Sequence, residues 1–359
     1  MEAWCKEKGL QGVGVSQSFP EVNIGEDCAV IVANAARNHH KAIRWALARH
    51  LPILVEKPVT LSFQETCLMG EIAEQNNTFL AAAHVFLFSH NIDRFCKLVL
   101  EKDYLKSIKF AWIDSKNEKR GGEIKSFDAS LPIYLDCLPH IISIISMIAN
   151  ERIKITGLKL SSGGSNIVIF AKLKNIPCEF QLVRNGTKRQ RLIEVASDLE
   201  TLSIDFTEDP GIICVDDDNL PNNLTLEPKN RPVSRMLMAF FNSIKNNSSD
   251  IRLDFEMAKK SNRIIDEVHP YYETELSLWL EKKLRRIKDD QIEDLKYALN
   301  EIISKHDLVS QVHLDTKLTY LLKRLENDPD KKFSVPYEKS ALSFIENLIE
   351  EGIETSYLV

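Results

Sequence analysis

The chain has 359 residues, an apolar fraction of 44% and a formal net charge of −6. This length predicts two domains, the apolar fraction suffices for buried cores, and the acidic balance argues against nucleic-acid binding as the main function. Seven cysteines without a C-x-x-C spacing argue against a disulfide framework or a zinc site and fit a cytoplasmic protein. No signal peptide is recognisable, and no apolar run is long enough for a membrane span.

Residues 1–105 alternate apolar runs with helical patterns, which predicts βαβ units and a parallel sheet. The run from Cys28 to Ala33 is typical of a strand buried on both faces, and helical spacing follows from Asn38 to Arg49. Ile53 to Val55 and Thr78 to Ala83 predict two further strands, separated by another helix.

The first chemical motif, Glu56-Lys57-Pro58, follows one of these predicted strands. Ligands of open α/β sheets bind just beyond the carboxyl ends of the strands. A lysine at that edge can act as a point charge or a proton donor, and Pro58 favours an extended Lys57. The alternative is that a strand ends in Lys-Pro by chance.

A cluster of glycines, Gly9, Gly12 and Gly14, lies near the start of the sequence. A dinucleotide-binding sheet normally begins with a strand, a glycine-rich turn and a helix that receives the pyrophosphate. This cluster instead follows a helical pattern, and no helical pattern begins after it. We interpret it as a helix end and loop rather than a phosphate-binding turn.

Residues 106–270 have a different pattern, in which successive candidate strands are separated by short turn signals. This predicts an α+β domain with a large, mostly antiparallel open sheet. A strongly apolar helix is predicted from Leu135 to Ala149, and helices from Pro232 to Asn246 and from Asp254 to His269 close the domain.

Residues 271–359 show only helical patterns, beginning with Glu273 to Ile287, and predict a helical C-terminal extension. The basic run from Lys282 to Arg286 has acidic neighbours, so we interpret it as a solvated helix face. Packing, oligomerisation and partner binding all remain open as roles for this extension.

The second chemical motif is Asp136-Cys-Leu-Pro-His140, at the start of the apolar helix. Positions i and i+4 share one helical face, where a carboxylate can orient an imidazole and raise its basicity. The alternative is a helix-capping Asp136 and a core histidine satisfied by the backbone.

The run from Cys28 to Thr60, with its Glu56-Lys57-Pro58, and the later Asp136-x-x-x-His140 together resemble the glucose-fructose oxidoreductase/inositol dehydrogenase/MocA (Gfo/Idh/MocA) family. The segment from His84 to Phe88 resembles the Gly-His-x-x-Arg-Phe segment of members that act on nucleotide-linked sugars. The resemblance covers roughly residues 1–270. It implies a Rossmann-like NAD(P)-binding domain followed by a substrate-binding and dimerisation domain.

The resemblance also implies roles for matching residues. Lys57 would hydrogen-bond the reacting oxygen, His140 would be the general acid/base, and Asp136 would position the substrate or orient the imidazole. The substrate would be a sugar, a sugar nucleotide or a cyclitol, and the open sheet would form a homo-oligomer. NAD or NADP would be bound by Asn34, Ala35, His39, Glu56, Lys57 and Pro58. The alternative for His39 is a helix-start residue without chemistry.

The sequence departs from the family pattern at several places. The glycine-rich strand–turn–helix is absent, Thr-Pro-Asn is replaced by Asn34-Ala35-Ala36, and the arginine of the His84 segment is Leu87. A truncated gene product or misplaced start, a partner subunit that supplies the missing half, and loss of NAD(P) use would each explain this. The functional alternative to an oxidoreductase is a non-catalytic binding or scaffold protein that makes contacts through its C-terminal extension.

Overall fold

The structure is a computed structural model. It describes residues 28–115, 119–120, 123–124, 131–149, 151–161, 164–221 and 230–284, together with Gly9, Ser16, Ser18 and Phe19. Gly12, Gly14 and the predicted helices beyond residue 284 lie outside this part of the chain. Within the described residues, no helix is both long and apolar enough to cross a membrane.

Three parallel strands form the first sheet, in the order β1–β2–β3. Its strands and connecting helices are β1 (Val30–Val32), α1 (His39–Leu47), β2 (Ile53–Glu56), α2 (Phe63–Gln75) and β3 (Leu80–Ala83). The side chain of Ser62 caps α2 by accepting the Glu65 N–H. The predicted parallel sheet is confirmed, and its central strand, β2, carries the Glu-Lys-Pro motif at its carboxyl end.

The second sheet has eight strands in the order β13–β12–β11–β10–β4–β9–β8–β7. Its neighbours are antiparallel except for β4 and β9, so the prediction of a large, mostly antiparallel sheet is also confirmed. The strands are β4 (Ser107–Ser115), β7 (Ile153–Ser161), β8 (Asn166–Leu173), β9 (Ile176–Gly186), β10 (Gln190–Ala196), β11 (Thr201–Asp205), β12 (Ile212–Val215) and β13 (Asp218–Asn219). Two short strands, β5 (Lys119–Arg120) and β6 (Glu123–Ile124), pair with each other.

Four further helices pack around the sheets: α3 (His90–Leu100), α4 (Ile133–Ile148), α5 (Pro232–Asn246) and α6 (Glu256–Leu284). The central one is α4, which contacts α3, α6 and β9. Its side chains at Ile141, Ile144 and Ile145 are almost fully buried, and each such burial contributes about 1.5–3 kcal/mol. Because α4 begins at Ile133, Asp136 lies in its first turn. The buried body of the helix fixes the position of this turn.

The sequence predicted a helix end at His269, before Pro270, but the structure shows α6 continuing through this proline to Leu284. Proline removes one helical hydrogen bond. Packing offsets this loss, because Tyr272 and Leu276 are buried and the Tyr272 ring lies 4.9 Å from the ring of Tyr134 on α4. The predicted domain boundary at residues 270–271 therefore falls inside a helix.

Candidate active site

Lys57 extends from the carboxyl edge of the parallel sheet toward the second domain. It directly follows β2, which lies between β1 and β3, and its peptide bond to Pro58 is cis. Its ammonium donates to two oxygens of Asp136, the backbone carbonyl at 2.8 Å and Oδ1 at 2.5 Å. The two motifs predicted from the sequence, which are 79 residues apart, are thus joined by direct contact.

The Lys57–Asp136 contact keeps both groups ionised. Burial alone would lower the pKa of Lys57, but the charge and hydrogen bond of Asp136 raise it above its ordinary value. Burial alone would raise the pKa of Asp136, but Lys57 and the nearby Arg184 hold it well below its ordinary range. At neutral pH the site therefore contains an ammonium and a carboxylate, and neither is available as a proton carrier.

His140 lies one helical turn after Asp136 and is about nine-tenths buried. Its Nδ1 is buried with no hydrogen-bond partner in the described part of the chain, where no hydrogen bond joins its ring to Asp136 either. Burial, followed by the Lys57 charge, lowers the pKa of His140 well below its ordinary value. The ring is therefore neutral near pH 7 and able to accept a proton.

The ring of His140 is held in place by aromatic side chains. It stacks on Trp112 of β4, with ring centroids 5.1 Å apart, and meets the edge of Phe86 at 4.8 Å. The Arg191 guanidinium lies 4.2 Å from the centroid of the Trp112 ring and forms an ion pair with Asp114. This packing fixes the imidazole beside the Lys57–Asp136 pair.

His39, which was predicted to bind the cofactor, uses both ring nitrogens within the protein. Nδ1 lies 2.8 Å from the Pro58 carbonyl oxygen and Nε2 lies 2.9 Å from the Asn34 carbonyl oxygen. Carbonyl oxygens only accept hydrogen bonds, so a hydrogen bond in either contact is donated by the ring. His39 thus joins the turns that follow β1 and β2, and its nitrogens are occupied in this structure.

The segment after Pro58 is fixed from the other domain by Asn262 of α6. The buried side-chain amide of Asn262 donates to the Thr60 carbonyl oxygen at 2.9 Å and to Thr66 Oγ1 at 2.7 Å. Together with His39, which contacts the Pro58 carbonyl, this amide holds the segment that directly follows Lys57.

The other predicted cofactor residues lie along the same sheet edge. Asn34 and Ala35 are exposed just beyond β1, Pro58 is buried, and Glu56 is half-buried at the end of β2. Burial raises the pKa of Glu56, while Lys57 opposes that shift. An acceptor carboxylate and the unpartnered imidazole nitrogen of His140 suit the ribose and nicotinamide end of a dinucleotide. No glycine-rich strand–turn–helix for the pyrophosphate lies in the described residues.

Sequence reasoning did not include His84 among the site residues, although it noted the segment that His84 begins. His84 directly follows β3, as Lys57 follows β2, and Glu56 and Ala83 are register partners. The signal that could have identified it is therefore its position after the neighbouring strand. The described residues contain no group of three or more side chains suited to hold a metal ion.

Comparisons with known proteins agree with this fold. Residues 17–84 match the model of Gfo/Idh/MocA, an oxidoreductase family with an NAD-binding Rossmann fold. The predicted resemblance to this family is confirmed. A sequence search of curated proteins gives no match.

Solved structures of the same fold include three dehydrogenases and reductases. UDP-N-acetylglucosamine 3-dehydrogenase GnnA from Acidithiobacillus ferrooxidans is 14% identical over 69% of this chain and 79% of its own, with a TM-score of 0.57. KijD10, a 3-ketoreductase from Actinomadura kijaniata solved with TDP-benzene and NADP, is 13% identical over 67% and 76%, with a TM-score of 0.57. An inositol dehydrogenase homolog from Azotobacter vinelandii, solved with NADH and myo-inositol, is 14% identical over 68% and 76%, with a TM-score of 0.56.

Proposed function

We propose that this chain is an NAD(P)-dependent oxidoreductase that transfers a hydride at a hydroxyl or carbonyl carbon of a sugar, sugar nucleotide or cyclitol. One observation carries the proposal. The Lys57 ammonium, at the carboxyl edge of a Rossmann-like sheet, lies 2.5 Å from Asp136, one helical turn before the neutral His140. An ammonium, a carboxylate and a neutral imidazole together suit proton and hydride transfer at a carbinol carbon.

Lys57 would bind the reacting oxygen. A lysine ammonium has three N–H donors, and Asp136 accepts two of them. The third would donate to the substrate oxygen, where a positive charge stabilises the alkoxide character that develops during oxidation. Its raised pKa keeps Lys57 charged, so we assign it electrostatic stabilisation rather than proton transfer.

His140 would move the proton. A neutral imidazole can accept the hydroxyl proton as the carbinol is oxidised and return it when the carbonyl is reduced. Burial, together with the nearby Lys57 charge, keeps the pKa of His140 low, so the imidazole is neutral near pH 7. NAD(P), when bound, supplies the hydride acceptor or donor.

Asp136 would hold Lys57 rather than contact the hydride path. The nicotinamide end of the cofactor would be lined by Asn34, Ala35, Glu56 and Pro58. His39 would fix the backbone of this lining through its contacts with the Asn34 and Pro58 carbonyls. These residues lie where doubly wound sheets bind their ligands. The substrate class is supported by the neighbouring structures, whose names include a UDP-sugar dehydrogenase, a ketoreductase and an inositol dehydrogenase homolog.

Calorimetric titration with NADH and NADPH, followed by turnover assays with myo-inositol and UDP-sugars, tests this proposal. We expect binding of at least one dinucleotide and turnover that falls at least 100-fold in Lys57→Met, because loss of one charged donor costs about that factor. Absence of dinucleotide binding in the full chain would contradict the proposal and favour the non-catalytic binding protein. The expected homo-oligomer and the partner at the C-terminal extension remain predictions.

A further inference from the structure

His84 is a second buried imidazole beside the proposed site, and the mechanism above does not use it. Its side chain is almost fully buried, and neither ring nitrogen has a hydrogen-bond partner among the described residues. Its backbone is satisfied, because its N–H donates to the Ala82 carbonyl and its carbonyl accepts from Leu87. Only the ring lacks partners.

The ring of His84 lies close enough to Lys57 and His140 to interact with both electrostatically. Lys57 and His84 leave neighbouring strands in register, and the charge of Lys57 acts on His84. Burial first, and then Lys57, lowers the pKa of His84 to about 4, while the Pro139 backbone on α4 acts in the opposite direction. The ring is therefore neutral at physiological pH.

A neutral imidazole has one N–H donor and one bare nitrogen acceptor. A hydroxyl has the matching pair, since it can accept one hydrogen bond and donate another. A buried polar group without a partner destabilises the fold by about 1–3 kcal/mol. A His84 ring that binds nothing would therefore only reduce the stability of the protein. Groups of this kind occur where a ligand completes the hydrogen bonding.

We propose that His84 is a substrate-binding residue that engages a hydroxyl next to the reacting carbon, which makes a vicinal diol the preferred substrate group. This assignment rests on the proposed function. The reacting hydroxyl lies at Lys57 and His140, and the adjacent hydroxyl lies at His84. A cyclitol or an unmodified pyranose provides such a pair of hydroxyls, whereas an isolated carbinol does not.

The test combines histidine NMR with binding and stability measurements on the full chain. With ¹⁵N-labelled histidine and myo-inositol as the probe, both ring nitrogens of His84 should shift on saturation. In His84→Leu, myo-inositol affinity should fall about tenfold, as expected for loss of one or two neutral hydrogen bonds, while the midpoint of urea unfolding rises. His84→Asn, which keeps a donor and an acceptor, should retain most of the affinity. His90→Leu, at an exposed position, is the matched control.

Increased stability together with weakened binding would support the ligand role, because a merely structural histidine would lose stability when replaced. Unshifted His84 signals, unchanged affinity in His84→Leu, or no binding of myo-inositol to the wild-type chain would each overturn it. The proposed function is tested separately by NADH and NADPH titration. If a dinucleotide binds and Lys57→Met loses turnover while His84→Leu behaves as wild type, only the His84 assignment fails.

Discussion

The Lys57–Asp136 contact can be tested without a substrate by a double-mutant cycle. Lys57 is 13% exposed and Asp136 is 38% exposed, so the pair lies between a surface ion pair and a buried one. Surface pairs contribute about 0.2–1 kcal/mol, whereas removing one partner of a buried pair costs about 3–5 kcal/mol. We therefore expect a coupling energy of about 2 kcal/mol between Lys57→Met and Asp136→Asn.

The two single variants should differ in a defined way. Asp136→Asn removes the charge but keeps the backbone carbonyl that accepts from Lys57 at 2.8 Å, so it should be the milder change. Lys57→Met removes both hydrogen bonds and leaves the carboxylate with only the more distant charge of Arg184. Urea unfolding of the wild type, both single variants and the double variant gives the coupling directly.

The exposed Lys97–Asp93 pair on α3 is the matched control, and its coupling should be about 0.5 kcal/mol or less. The Lys57–Asp136 coupling should persist between pH 5 and pH 9 as approximate limits, because the folded pKa of Asp136 is depressed and that of Lys57 is raised. It should decline as pH falls below about 4 or rises above about 10.4, the ordinary pKa values of these groups. Additive effects within about 0.5 kcal/mol at neutral pH would refute the reasoning.

Three further predictions concern groups around the site. His84 is protonated below about pH 6.5 in the unfolded chain but only below about pH 4 in the folded chain, so folding stability should fall by up to about 3 kcal/mol as the pH drops over that interval. Urea unfolding at pH 7 and pH 4.5 should show a smaller loss of stability in His84→Leu than in the wild type. An equal loss in both would count against the assigned pKa shift of His84. His39→Leu should cost about 1–3 kcal/mol because the buried Pro58 carbonyl and the more exposed Asn34 carbonyl both lose their contact with the ring. His40→Leu on the same helix should cost little, and similar costs would disprove the bridging role. Asn262→Ala should cost about 2 kcal/mol and lower turnover through displacement of the Lys57 segment; unchanged unfolding would argue against this fixation.

Local patterns predicted much of the architecture. The apolar strand before Lys57, the i, i+4 spacing of Asp136 and His140, and the change from alternating to successive strands all depend on neighbouring residues. The order of the eight-stranded sheet and its one parallel pair depend on distant residues, so they required the structure.

The sequence named the candidate residues but could not predict the contacts that they make. Asp136 was expected to position the substrate or orient His140, yet its carboxylate accepts a hydrogen bond from Lys57, which is distant in sequence. His39 was expected to bind the cofactor, and its occupied ring nitrogens follow from two turns that only the fold brings together. The unpartnered ring of His84 could not be inferred, because burial without a partner leaves no sequence pattern.

The most direct test of the central claim is the rate of nicotinamide reduction by the full chain. It is measured in wild type, Lys57→Met and His140→Asn with NAD and NADP and a panel of cyclitols and sugar nucleotides. The account predicts turnover in the wild type and losses of at least about 100-fold in each variant, with dinucleotide binding preserved in His140→Asn. A wild-type chain that binds a dinucleotide and reduces none, or turnover that survives in both variants, would contradict the assignment of Lys57 and His140 as the hydride-transfer site.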